Sequence, residues 1–154
     1  MLDSKALRDT LKKIFNVEDK YLVPLNSDWF IPTTDPNDKT GTWIGYRILN
    51  KKAYARAYQS GVYYVRPFKI RIRLSFVGPQ AEHLADQTMF WEDRTDVQET
   101  FEKRQAQINY QDRISFTYPI RNGGYNDEMC WVTDLSAQTS YEVETKQRPW
   151  FSKN

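Results

Sequence analysis

Residues 62–77 alternate with a period of two. Phe68, Ile70, Ile72, Leu74 and Phe76 share one parity, and Lys69, Arg71, Arg73 and Ser75 share the other. In an extended chain successive side chains point to opposite faces, so this run is a β-strand with one packed face and one wet face. A helix would scatter the same apolar residues around its circumference. Such a strand needs a sheet around it and a layer over its apolar side. The preceding residues supply the first partner. Residues 43–58 are rich in aromatic and branched side chains, and Tyr54, Arg56 and Tyr58 alternate with Ala53, Ala55 and Ala57. Gln59-Ser60-Gly61 reads as the turn between them. Taken as continuous, the hairpin is roughly 50 Å long at about 3.3 Å per residue. Pro67 suits an edge or a bulge better than a central position.

The outer half of this hairpin holds Tyr54, Tyr58, Tyr63 and Tyr64, with Tyr46 just before it, and few aliphatic residues. A two-stranded ribbon without a packing partner is marginally stable. The tip is therefore expected to lean on a neighbouring subunit; the alternative is a strongly curved sheet that keeps the ribbon within its own domain.

Elsewhere the punctuation is clear. Residues 2–15 place Leu7, Leu11, Ile14 and Phe15 on one helical face, with Asp3 or Ser4 as cap. Pro24, Pro32 and Pro36 interrupt the next stretch, where short strands are expected at Tyr21-Leu22-Val23 and Trp29-Phe30-Ile31, followed by a turn cluster at 36–41. Gly78-Pro79 opens a helix with proline at its first position and Ala81, Leu84, Ala85, Thr88, Met89 and Trp91 inward. Thr95 and Gln98 have capping-box spacing for a second short helix holding Val97, Phe101 and Ala106 inward. Ile114, Phe116, Tyr118 and Ile120 mark a strand, Asn122-Gly123-Gly124 a turn or wide loop, and residues 129–143 one long strand, or two with a bulge near Ser136. The expected fold is α+β. A mostly antiparallel β-sheet contains the long β-hairpin, and an N-terminal helix and a central helix pair pack on one face. Residues 1–154 form one domain, with 146–154 as a C-terminal tail whose Trp150 and Phe151 are expected to dock.

Composition narrows the function. The chain has 154 residues, 40% hydrophobic and 27% charged, enough for one globular core. Its formal net charge of +2 gives no case by itself for nucleic acid or an anionic membrane. Aromatics reach 15%, with ten Tyr and five Trp, as in sheet-rich folds and at protein interfaces. A single cysteine, Cys130, allows no internal disulfide and fits folding in a reducing cytoplasm. Residues 1–5 read as the start of a helix rather than a signal peptide, and no apolar run is long enough to span a membrane.

The residues offer little to catalysis. His83, the only histidine, has no cysteine or carboxylate at metal spacing, and Cys130 sits in a strand pattern where an inert thiol is usual. Glu92, Asp93 and Asp96 are better read as helix-terminal groups than as a cation site. Asp134 with Glu144 and Lys146 faintly resembles a metal-dependent nuclease core, although Glu142 and Glu144 alternating with Tyr141 and Val143 suit an exposed strand face better. No enzyme, cofactor or metal is expected. The row Lys69, Arg71 and Arg73 is either a solvated face paired with acidic groups across the sheet or, repeated around a ring, a band facing DNA in a channel.

Residues 68–91, FKIRIRLSFVGPQAEHLADQTMFW, resemble the strand-to-helix centre of bacteriophage tail and neck terminator proteins, and residues 108–145 resemble their closing strand pair. The order of elements is similar over nearly the whole chain, apart from the insert at 24–41 and the tail after 145. The resemblance implies a virion structural protein: a ring, typically hexameric, that caps the tail tube and joins it to the neck. Its partners would be copies of itself, the tube protein and the neck or head-completion proteins. DNA would pass through without being read, and no membrane would be involved. The competing expectations are another neck, head-completion or baseplate adaptor ring, a monomeric DNA-binding module, and the nuclease. On the ring reading Tyr54, Tyr58, Tyr63, Tyr64, Trp150 and Phe151 are the candidate subunit contacts.

Overall fold

A computed structural model describes residues 2–25, 41–122 and 125–144. The expected strand at 29–31, the turn residues 36–40 and 123–124, and Lys146, Trp150 and Phe151 lie outside the described residues.

The chain forms α1 (Ser4–Phe15), a 3-10 turn (Asp19–Tyr21), β1 (Leu22–Pro24), β2 (Trp43–Ala53), β3 (Tyr58–Ser60), β4 (Tyr63–Val77), α2 (Ala81–Gln87), a second 3-10 turn (Thr88–Phe90), α3 (Thr95–Glu102), β5 (Ala106–Asn122) and β6 (Tyr125–Glu144). The six-stranded sheet runs β1-β2-β4-β6-β5, with β3 beside the outer part of β4. Only the short β1–β2 pair is parallel. The α+β architecture with helices on one face is the one the periodicities require.

The helix-covered face holds the main core. Ile70, Ile72, Leu74 and Phe76 of β4 meet Leu7 and Leu11 of α1, Trp91, Val97 and Phe101 of the central helical region, and Leu135 and Ala137 of β6. Phe68, counted with this face, is only half-buried. The opposite face has a smaller apolar cluster of Val77, Cys130 and Val132, with Val23, Leu25 and Trp43 packed against it.

Helix α1 starts where the sequence indicates. The Asp3 carboxylate accepts the Ala6 N–H at 2.8 Å, satisfying one of the donors that a helix start leaves without an internal partner. The helix ends at Asn16, whose φ of 51° is left-handed and whose N–H donates to the Lys12 carbonyl, a common way to close a last turn. Asp3→Ala should lower the unfolding free energy by about 1 kcal/mol in urea titration, and Asp3→Asn by much less. Equal losses for both would mean that the cap contributes nothing.

Several local expectations are corrected. The first hairpin strand is not continuous. It shifts register between Leu49 and Lys52, stops at Ala53 and resumes only as the short β3. Asn50, at φ 52°, sits in the irregularity, and the Tyr54-to-Ala57 alternation falls in the gap rather than in a strand. Pro67 explains part of this. The Tyr54 N–H reaches the Pro67 carbonyl at 3.4 Å, so the proline nitrogen, which has no hydrogen, faces the side where β2 gives way. Pro79 does not open α2. It lies in the turn that closes with Ala81 N–H on the Gly78 carbonyl at 3.1 Å, two residues before the helix. Gly78 has φ 130°, and a Cβ there would sit 2.7 Å from the Gly41 carbonyl, so only glycine fits.

Two further corrections concern the helices and the last strands. Thr95 is the first residue of α3 rather than its cap, and Gln98 instead donates to the Trp91 and Glu92 carbonyls, so no capping box forms. Met89 is exposed rather than inward, because the chain tightens into a 3-10 turn after Gln87 and rotates that position outward. Ala106 is buried as expected, but as the first residue of β5. The irregularity near Ser136 belongs to the other strand: β6 runs unbroken, and β5 inserts residues 110–113 between the pairs Asn109↔Ser136 and Ile114↔Asp134.

Candidate functional site

The hairpin tip is not a ribbon without support. β4 pairs with β6 along its length, from Tyr63↔Glu144 to Phe76↔Trp131. The backbone of the outer half is thus satisfied within the chain by a central strand, and the curved-sheet alternative describes it. What remains available to another molecule is side-chain surface. Tyr58 is 54% exposed and Tyr63 42%, and Tyr54, Val62 and Val143 are exposed beside them. Register puts Tyr58, opposite Val65, on the same face as Tyr63. The Lys69 ammonium, 5.6 Å from the Tyr54 ring centre, brings Tyr54 to that face as well, within the reach of a cation–π contact. Tyr64 falls on the other face and is half-buried. Three of the four expected tip tyrosines are therefore brought together.

The basic row is more differentiated than its alternation implies. Lys69 is exposed and Arg71 half-buried. Arg73 is committed to a carboxylate, its Nε and Nη2 donating to the two Asp134 oxygens at 2.8 and 2.9 Å. That carboxylate side chain is only 2% exposed. This is the pairing across the sheet that the solvated-face reading anticipates. Register then adds two cations that the row alone does not reveal. Arg47 lies directly opposite Arg73, and Lys52 directly opposite Lys69. Like charges in direct opposition destabilise a sheet. Toward β5 the face stays polar, since Lys69 aligns with Gln138 and Gln107, and Arg71 with Ser136 and Asn109. A groove of about 360 Å³ opens there, lined by Tyr54, Gln105, Gln107, Gln138 and Ser140 among others. No described helix covers this part of the sheet; the three helices pack on the opposite face.

The remaining candidates separate. Asp134 and Glu144 are ten positions apart on β6. That is roughly 33 Å of strand at about 3.3 Å per residue, so they cannot share a metal ion. Asp96 is engaged by Arg94 at 2.6 Å, and that guanidinium holds its carboxyl below the usual range. His83 contacts Gln87 at 3.0 Å on an exposed helix face, and Cys130 is fully buried. Among the described residues no group of three His, Cys, Asp or Glu is placed to hold a metal, and no helix is long and apolar enough to cross a membrane.

One feature escapes a motif search because the net charge conceals it. Residues 41–81 contain eight Lys or Arg and no Asp or Glu, whereas residues 82–102 contain seven Asp or Glu and one Arg. The first block is the β2–β4 hairpin and the second the helical region, so the chain has a cationic pole and an anionic pole. A windowed charge count would have found it.

The chain matches no family model, and no curated protein matches it. The functional reading therefore rests on these residues and their placement.

Proposed function

We propose that this chain is a structural subunit of a phage ring at the tail end or neck, the position implied by its resemblance to terminator proteins. Copies of it would close around the DNA channel and join the tail tube to the neck. The observation that carries the reading is the tip: aromatic and branched side chains stand exposed at the end of a sheet whose backbone is already paired. Clustered apolar groups left in water are the mark of an interaction surface. Large aromatics supply efficiently the roughly 800 Å² per partner that a stable contact requires. The open cationic face suits a channel wall, attracting phosphates without reading bases. A ring of six copies, with tube and neck proteins as axial partners, is the arrangement that the resemblance implies.

The like-charge oppositions on the open face favour a second reading, a monomeric DNA-binding module. Antibody labelling of the phage particle decides between them. Label at the head–tail junction, with rings seen by electron microscopy in disrupted particles, is the expected result. A chain absent from particles that binds DNA as a monomer, with affinity falling steeply as salt rises, would replace the ring with the module.

A further inference from the structure

We infer that the helical corner around Met89 and Phe90 is the docking site for the hairpin tip of a second copy, a deepening that rests on the ring reading. The corner is the second place where apolar side chains stand out: Phe90 is 59% exposed and Met89 40%. It is well fixed. The Phe90 carbonyl accepts the N–H groups of Asp93 and Arg94, each at 3.0 Å, and the next residue, Trp91, is buried in the core. The outward aromatic is thus presented by a rigid turn, which limits the entropy lost on binding.

Charge selects the occupant. Asp86, Glu92 and Asp93 flank the corner and are all exposed. Lys52, Arg56 and Arg66 flank the tip tyrosines and are exposed too. Each apolar knob therefore sits within charges of one sign, and the two signs are opposite. Tip against tip, or corner against corner, would bring like charges together; tip against corner brings complementary ones together. The chain cannot satisfy itself this way. Trp91 packs near Phe76 through Phe15. Tyr63 lies thirteen positions from Phe76 along β4, which is roughly 43 Å of strand. A contact between two different patches is heterologous, and repeated by rotation it closes into a ring.

A charge swap tests the assignment. One variant carries Arg56→Glu and Arg66→Glu, the other Glu92→Lys and Asp93→Lys. All four positions are exposed, and far-ultraviolet circular dichroism checks that both variants keep the fold. Association is followed by sedimentation velocity at low salt up to the highest soluble concentration. Each variant alone should associate roughly tenfold or more weakly than the wild type. An equimolar mixture should recover association, because every contact then joins opposite charges again. Variants that associate like the wild type, or a mixture that gives no recovery, would overturn the corner assignment and leave the ring reading standing. A wild-type chain that stays monomeric throughout would overturn the docking, whereas the ring reading falls only if particles also carry no label.

Discussion

Arg73→Ala should lower the stability of the domain by about 3–5 kcal/mol, the range for removing one partner of a buried ion pair. Asp134 lies in β6, with strands on both sides and its side chain 2% exposed. Its oxygens receive two nearly parallel guanidinium N–H bonds, an arrangement that lysine could not reproduce. Without Arg73 the carboxylate stays away from water and loses its counter-charge. For a chain of this length each kcal/mol corresponds to about 2–4 °C in melting temperature, so the variant should melt at least several degrees lower. Lys69→Ala and Arg71→Ala provide the contrast. Each should shift stability by no more than about 0.5 kcal/mol, because neither side chain neutralises a buried carboxylate among the described residues. The double change Arg73→Met with Asp134→Leu should recover most of the loss, since an apolar pair can replace a buried ionic one. If thermal melts place Arg73→Ala beside Lys69→Ala, the ion pair does not hold the sheet.

Trp91→Ala should be comparably damaging, also about 3–5 kcal/mol, through a different mechanism. The indole is 1% exposed. It lies 5.5 Å from the Phe15 ring and 5.8 Å from Phe101, and Phe15 meets Phe76 edge-on at 5.7 Å. The aromatic series Phe76, Phe15, Trp91 and Phe101 thus ties β4, α1 and α3 together. Truncating Trp91 leaves a large cavity and removes two ring contacts. Trp91→Phe keeps a ring in place and should lose less than half as much in urea titration. Because Trp91 directly follows Phe90, the alanine variant should also weaken association at concentrations where the folded fraction is still high. A variant that melts normally would show that the core closes without the indole.

The parts of the fold legible in the sequence are those set by side-chain periodicity. Phe68 to Phe76 identify β4 and its packed face, Leu7 and Leu11 identify α1, and Asp3 identifies its start. Periodicity fails where backbone geometry decides. Nothing in the alternation from Tyr54 to Ala57 reveals that Pro67, on the neighbouring strand, lacks the donor that would continue the ladder. The proline itself is legible, but its effect falls on the partner strand. Thr95 and Gln98 have the right spacing for a capping box, yet the preceding turn offers the Trp91 and Glu92 carbonyls to Gln98 first. For the candidate site, the tyrosines and the basic row are visible as residue types. Their partners are not, because Arg47 opposite Arg73 and Asp134 beside it are facts of register between strands distant in sequence.

That same register sets a timetable. Tyr63 is matched with Glu144, so the sheet around the tip is completed only by residues from the far part of the chain. On the ribosome, β2 and β4 emerge with the tip unfinished and one flank of β4 open until β6 follows. Contacts of such long sequence separation form slowly. An adhesive tip that matures last gives a nascent copy little chance to capture its siblings before the rest of it has folded. Joining subunits thereby becomes a task for completed molecules.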